Sequence, residues 1–484
     1  MALTQPSMGC TNSSSTFLQL PTEVTEGILS EIDAHRDLIA LALTSRAFTD
    51  LIIPHHTEYR VIRLRHPLPY IWAHLARRVD LTRNIREVHL CAAHDYTARD
   101  RYPTTLSRDK DIDGNEEHTQ DENRLVNICR ALGHMRYLQV FTWAWAWGNG
   151  LYPRGTSFIV EERILGVVSK IPCLKHLALF GPFGIHVRDG RGLGGIPYPA
   201  WCFSGLLSLS LHGDVWVRPG NSDHICEMMK RSPDLEHLEF PMDFPRLKEL
   251  RFRRLKRLKL PLQSGGTPSI DASSIAFLEN HPTLEELQWF PIGQITLSAS
   301  SLPSIKRLQG SRQVIEAFEA TGLSRFIECL SVLALDPQRL VNMKCVDHAS
   351  LRKLSIRRIP SLEHIHHIGE RFTGITWLSM SYGEVLDLHV WFHVLSCFPN
   401  LEVFRGQSIW FAVHHVKEAM HLAIMELVQL CPRLRQLDYC EGNTKREARQ
   451  IVIIREGSEG QHVRYEVRRS PPSNVFDVME REFM

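Results

Sequence analysis

Residues 171–181 read Ile171-Pro172-Cys173-Leu174-Lys175-His176-Leu177-Ala178-Leu179-Phe180-Gly181, and the same short phrase returns four more times along the chain. It recurs as SPDLEHLEFP at 232–241, HPTLEELQWF at 281–290, FPNLEVFRG at 398–406 and CPRLRQLDYC at 431–440. In each, a proline (Pro172, Pro233, Pro282, Pro399, Pro432) stands two residues before a leucine (Leu174, Leu235, Leu284, Leu401, Leu434). Proline has no N–H for the helix ladder and clashes with the preceding turn, so it ends the apolar helical stretch before it. The alternation that follows puts leucines on one side of a strand and Lys, Glu or Arg on the other.

Further strands of this kind, without the proline, are expected at 85–90, 138–141, 206–211, 255–260, 351–356 and 375–380. A helix-to-strand phrase that keeps returning points to a solenoid in which each unit stacks on the next. The pattern resembles the leucine-rich repeat, and the resemblance implies an α/β fold: an irregular solenoid over residues 56–440, with a parallel sheet backed by helices. The spacing is uneven. The five prolines lie 61, 49, 117 and 33 residues apart, where a standard repeat takes about 20–29, so some intervals are expected to hold two divergent repeats or a long insertion.

The N-terminal stretch 20–53 follows a different grammar. Thr22 is placed to cap a first helix, with Glu23 and Glu26 in the first turn, where the helix dipole favours carboxylates. Val24, Ile28, Leu29 and Ile32 fall on one stripe. Asp37 and Ser45 are expected to cap a second and a third short helix, and Pro54 stops the last. Three helices this short cannot bury their apolar surface among themselves, which points to a partner.

The run LPTEVTEGILSEIDAHRDLIALALTSRAFTDL resembles the F-box, with Leu20, Pro21, Glu23, Val24, Ile28, Leu29, Asp37, Leu38, Leu41, Ala42, Ser45, Arg46 and Phe48 at the offsets of that family. Phe48 stands where the family often has Trp, and Ile32 where Leu is commoner; both keep the apolar character. The resemblance covers residues 17–55. It implies that Leu20, Pro21, Glu23, Val24, Ile28, Leu29, Leu38 and Leu41 dock onto the Skp adaptor, and through it onto cullin and a RING subunit. Together with irregular repeats, it is similar to the F-box proteins of mushroom-forming fungi.

Composition bounds the remaining possibilities. The 56 basic and 54 acidic side chains leave a formal charge of +2, too little to draw the whole protein to nucleic acid or anionic lipid. No run of about eighteen apolar residues and no signal-peptide pattern is present, so a cytoplasmic or nuclear protein with no membrane partner is expected. Eleven cysteines lie scattered without a C-x-x-C pair, a pattern of buried apolar residues rather than of zinc or disulfides. Residues 1–16 are expected to be a disordered lead, and 95–124 a polar insertion. Residues 441–484 are expected to hold a hairpin, from 451–454 and 463–467, that caps the last repeat and then runs into a tail.

No catalytic constellation emerges. Gly190, Gly192 and Gly195 spell a dinucleotide fingerprint, but Pro197 and Pro199 follow where a helix is required. His364, His366 and His367, read as strand residues, have no carboxylate or cysteine at metal-ligand spacing, and no nucleophile elbow occurs. No cofactor and no metal are expected. The basic run 248–259, KELRFRRLKRLK, is either an import signal or acidic-target patch, or two strands with solvated alternate positions. Trp143, Trp145 and Trp147 alternate along one strand face and form either a target-binding row or core. The expectation is a non-enzymatic substrate adaptor of a Skp–cullin–F-box ubiquitin ligase that presents an unknown protein target on the open sheet face. The alternative is a repeat scaffold whose N-terminal helices serve assembly without ubiquitin transfer.

Overall fold

The structure, a computed structural model, describes residues 20–32, 35–91, 100–107, 120–144, 157–181, 183, 198–241, 247–260, 272–291, 295–322, 324–334, 337–358, 365–380, 386–406, 408–414, 416–439, 449–456 and 462–469. The lead 1–16, Trp145, Trp147, the glycine-rich 190–195 stretch, His364 and the tail from 470 lie outside the described residues.

Three short helices come first: α1 (Thr22–Glu31), α2 (His35–Ala42) and α3 (Arg46–Ile52). Ser45 caps α3, its side chain accepting the Phe48 N–H at 3.3 Å. The other two caps differ from expectation. Pro21 holds the cap position of α1, so that Thr22 is already the first helical residue. Helix α2 begins at His35 and takes Asp37 into its first turn, where the dipole still favours the carboxylate.

The rest of the chain is α/β. The proline phrases and their relatives become β1 (Val61–Leu64), β2 (Glu87–Leu90), β3 (Val140–Ala144), β4 (His176–Phe180), β5 (Ser208–His212), β6 (His237–Glu239), β7 (Arg257–Leu260) and β8 (Glu286–Trp289). They continue as β9 (Arg307–Gly310), β10 (Cys329–Ala334), β11 (Lys353–Arg358), β12 (Trp377–Met380), β13 (Val403–Arg405) and β14 (Gln436–Tyr439). Among the described residues these pair in sequence order into one parallel sheet, which β15 (Arg449–Glu456) and β16 (His462–Arg469) extend antiparallel. Connecting helices such as Gln120–His134, Ser222–Lys230, Arg312–Ala320 and Lys417–Leu430 join successive strands, which a parallel pairing requires because a tight turn cannot reverse direction twice.

Register is constant along the array. Ile62 opposes Val88, then Phe141, Leu177, Leu209, Leu238 and Leu258. The row continues through Leu287, Leu308, Leu330, Leu354, Leu378, Phe404, Leu437 and Ile451. Every member is buried in one core shared with the helices, and each such side chain contributes about 1.5–3 kcal/mol of transfer free energy. Backbone bonding repeats with it: the N–H groups of Lys175 and His176 both donate to Gln139 O, those of Leu207 and Ser208 to Lys175 O, and those of Arg352 and Lys353 to Glu328 O.

This row counts the repeats. The 61-residue interval from Pro172 to Pro233 holds two units, carried by Leu177 and Leu209. The 117-residue interval from Pro282 to Pro399 holds five, carried by Leu287, Leu308, Leu330, Leu354 and Leu378. The long gaps are therefore filled by repeats that lack the proline-to-leucine phrase, the one at β9 keeping the proline, Pro303, but with Ile305 in the place of leucine.

The polar insertion is shorter than 95–124. Its described part, 100–107, folds back as an antiparallel bridge between Arg63 and Arg101 and a 3-10 turn at Thr104–Ser107. Gln120 already starts the long helix to His134, whose apolar stripe of Leu125, Ile128 and Leu132 is buried. His366 and His367 lie on a helix, Ile365–Arg371, and not on a strand. No helix among the described residues is long and apolar enough to cross a membrane.

Candidate functional site

Two surfaces carry features that packing alone does not demand. The first is on the N-terminal helices. Leu29, Leu38, Ala42, Phe48 and Ile52 form a small core of their own, with Ile32, Leu41 and Leu51 partly buried against it. Leu20, just before α1, and Val24 and Ile28 on it, spaced i, i+4 and i+8, remain exposed, with Pro21 and Glu23 beside them. Ile39 on α2 and Leu43 just after it do the same, Leu43 being 80% exposed. The eight residues expected to dock a partner thus divide: Leu20, Pro21, Glu23, Val24 and Ile28 face solvent, Leu41 is half-buried, and Leu29 and Leu38 are interior. Leu29 and Leu38 cannot touch a partner without unfolding the unit; their role is to hold the helices together. Ile39 and Leu43 were missed, although their i, i+4 spacing was the available signal.

The helices are anchored on their other side. His56, fully buried, donates from Nε2 to the Glu26 carboxylate at 3.1 Å, and Arg83 approaches the same carboxylate at 3.6 Å. These bonds hold the Glu26 carboxyl below the usual carboxylate range, the His56 hydrogen bond being the largest cause. The Arg60 guanidinium donates to Leu29 O at 2.8 Å.

The second surface is the sheet face opposite the helices, where the residues between the leucines line up across strands. Glu239 is 1% exposed, yet its carboxylate meets Ser210 Oγ at 2.6 Å, Lys259 Nζ at 2.9 Å and His212 Nε2 at 2.7 Å. Glu286 sits between Arg257 (3.6 Å) and Arg307 (2.8 Å), its register partners on either side. Near the first repeats, His89 bonds Thr142 Oγ1 and Glu87, both at 3.0 Å. Burial pushes the His89 imidazole below its ordinary value, and the bond from His89 lowers Glu87. At the far end Arg405 pairs with Asp438 at 2.5 Å; burial still raises the Asp438 carboxyl. Cross-strand pairing of this kind makes a rigid polar face on which few charges are spare.

Four basic residues of the run 248–259 are paired by the same logic. Arg254 and Lys256 pair with Glu236 at 2.6 and 3.3 Å, Lys259 with Glu239 and Arg257 with Glu286. The run is a 3-10 turn at Leu247–Glu249 followed by strand β7 and its approach, with Lys248, Arg251 and Arg253 exposed.

Trp143 is core, which corrects its placement in a target-binding row. Its ring is fully buried, edge-on to Phe183 at 5.4 Å, because it shares the strand phase of Phe141, a member of the buried row. Among the described residues no group of three His, Cys, Asp or Glu side chains could hold a metal ion. No protein-family model matches the chain, and no curated protein does.

Proposed function

We propose that the chain is the substrate-recognition subunit of a Skp–cullin–F-box ubiquitin ligase, with residues 17–55 acting as the F-box and the leucine-rich-repeat-like array presenting a protein target. The observation that carries this reading is the apolar stripe of Leu20, Val24 and Ile28, joined by Ile39 and Leu43, left exposed on helices whose other side is tied down through Glu26, His56 and Arg60. An apolar surface held rigid in water is costly, at about 25 cal/mol per Å², unless a partner covers it. The Skp adaptor is the partner that the sequence pattern of these helices implies.

In this role the protein performs no covalent chemistry and needs no cofactor. A target held on the array would have its lysines kept near a charged conjugating enzyme, and the gain in rate is that of an encounter made intramolecular. Such work belongs to the cytoplasm or nucleus and calls for neither nucleic acid nor membrane.

The test is capture of purified Skp adaptor by the full chain, wild type against Val24→Asp/Ile28→Asp, with circular dichroism to confirm that the fold survives. Both substitutions fall on exposed positions, so the helices should remain. Loss of a central apolar anchor is expected to weaken capture by about thirtyfold or more. A wild-type chain that captures no adaptor sinks the reading and leaves a repeat scaffold. Co-purification of cullin from cells then separates a ligase from an assembly platform.

A further inference from the structure

The outer edge of β1 is closed by the chain's own return. Arg63 N–H donates to Arg101 O at 2.8 Å and Arg101 N–H to Arg63 O at 2.7 Å, a hydrogen-bonded antiparallel pair. In such a pair the two side chains leave the same face directly opposite each other, with Cα atoms roughly 5.5 Å apart. Like charges placed so are destabilising, and here both are guanidiniums, which cannot shed their protons.

Among the described residues no carboxylate forms an ion pair with either, although Glu87 acts on both from farther off. Asp100 is taken by Arg65, accepting its N–H at 2.7 Å and pairing with its guanidinium at 3.8 Å. Glu87 is bonded to His89 at 3.0 Å. Neither carboxylate comes within ion-pairing distance of Arg63 or Arg101. Burial pushes two imidazoles nearby, His35 at the start of α2 and His89, below their ordinary value, and the charge of Arg101 acts in the same direction on both. Burial lowers Arg101 as well; the charge of Arg63 acts in the same direction and that of Glu87 against it.

We propose that Arg63 and Arg101 form a binding site for a phosphate group, clasped between the two guanidiniums on the sheet face that carries Glu87 and His89. A guanidinium is a planar fork that meets two oxygens at once. Two opposed forks need a ligand with more than two oxygens and close to two negative charges, which a phosphate supplies and a carboxylate does not. The site stands apart from the adaptor reading, since it uses no residue of the exposed helical stripe, and either can fail alone.

The experiment is thermal unfolding of the full chain, exchanged into phosphate-free buffer, against rising inorganic phosphate at ionic strength held constant with chloride. The same titration is repeated with a phosphoserine-containing peptide. Wild type is expected to show a saturable upward shift of the midpoint, as any ligand of the folded state gives. Arg101→Gln should weaken binding about tenfold or more, and Arg63→Gln/Arg101→Gln should abolish the shift; Arg464→Gln, at an exposed pair with Glu456, should keep it. Without phosphate, Arg101→Gln should melt at or above wild type, because it relieves the opposed charges while leaving the backbone bridge intact. Tighter binding of the peptide makes a partner's phosphate ester the source, and tighter binding of inorganic phosphate makes it the free ion; both support the site. An unsaturable shift, or an equal shift in the double variant, means an adventitious ion only and overturns it.

Discussion

His56 reaches back thirty residues to hydrogen-bond Glu26 at 3.1 Å from a ring with no exposed surface. Helix α1 is thereby fixed to the first turn of the array, and a partner held on its exposed stripe would inherit the orientation of everything downstream. A partly buried carboxylate with such a donor is worth more to the folded state ionised than protonated.

Glu26 therefore links stability to acidity. Its folded value lies below its unfolded one, so its contribution is present above the unfolded value and disappears as pH falls through the folded one. Glu26→Gln is expected to unfold at lower urea than wild type at pH 7, with the difference closing below about pH 4. Urea titrations at both pH values measure it; a difference that stays constant with pH would show that the carboxylate's charge plays no part.

The buried leucine row should be far more sensitive than the helical surface. Leu238→Ala, at a fully buried position between Leu209 and Leu258, is expected to cost about 2–5 kcal/mol. Leu422→Ala, on the exposed side of helix Lys417–Leu430, should stay within about 0.5 kcal/mol. Chemical denaturation of the two variants side by side decides the matter.

Removing the Glu239 carboxylate leaves Lys259, itself 7% exposed, without the partner at 2.9 Å. Glu239→Ala is expected to destabilise by about 3–5 kcal/mol, and Lys259→Met added to it should recover part of that loss, because the uncompensated charge is then gone. If the double variant is no more stable than the single one, the loss comes from packing and not from charge.

Cysteine labelling probes the packing directly. Cys202 is exposed, while Cys345 and Cys431 are buried. Burial pushes the Cys431 thiol up to about 11 and raises that of Cys345 further. Iodoacetamide at pH 8 should modify Cys202 in the native chain and reach Cys345 and Cys431 only in urea, as read by peptide mass spectrometry.

Much of the array was legible, because proline and alternating leucine act locally: all five proline phrases became strands β4, β6, β8, β13 and β14. Three strands were overlooked. In β9 the phrase is present as Leu302-Pro303-Ser304-Ile305-Lys306-Arg307-Leu308, with Ile305 in the place of leucine. In β10 only Ile327 and Leu330 remain of it, and in β1 Tyr59 and Ile62. The apolar volume was conserved by chemistry and not by letter, which is all that a core position requires.

The candidate site was harder to read. Helix α1 carries apolar residues on two sides, and periodicity cannot say which side its own bundle consumes; Ile28 and Leu29 are adjacent, yet one is exposed and the other interior. Trp143 was ambiguous for the same reason, since phase along a strand is visible in sequence but the identity of the buried phase is a property of its neighbours. The Arg63–Arg101 pair joins residues 38 positions apart, and nothing in either neighbourhood announces the bridge.

The unbroken register of the row from Ile62 to Ile451 also sets how the molecule bears tension. Among the described residues each strand pairs with the strand before it and the strand after it, so a pull on the two ends of the array loads the turns in series, like links of a chain, and the weakest gives first. In an optical trap the protein should lengthen in steps of one repeat. The 24 residues from Leu330 to Leu354 would release roughly 80 Å at about 3.3–3.6 Å per residue.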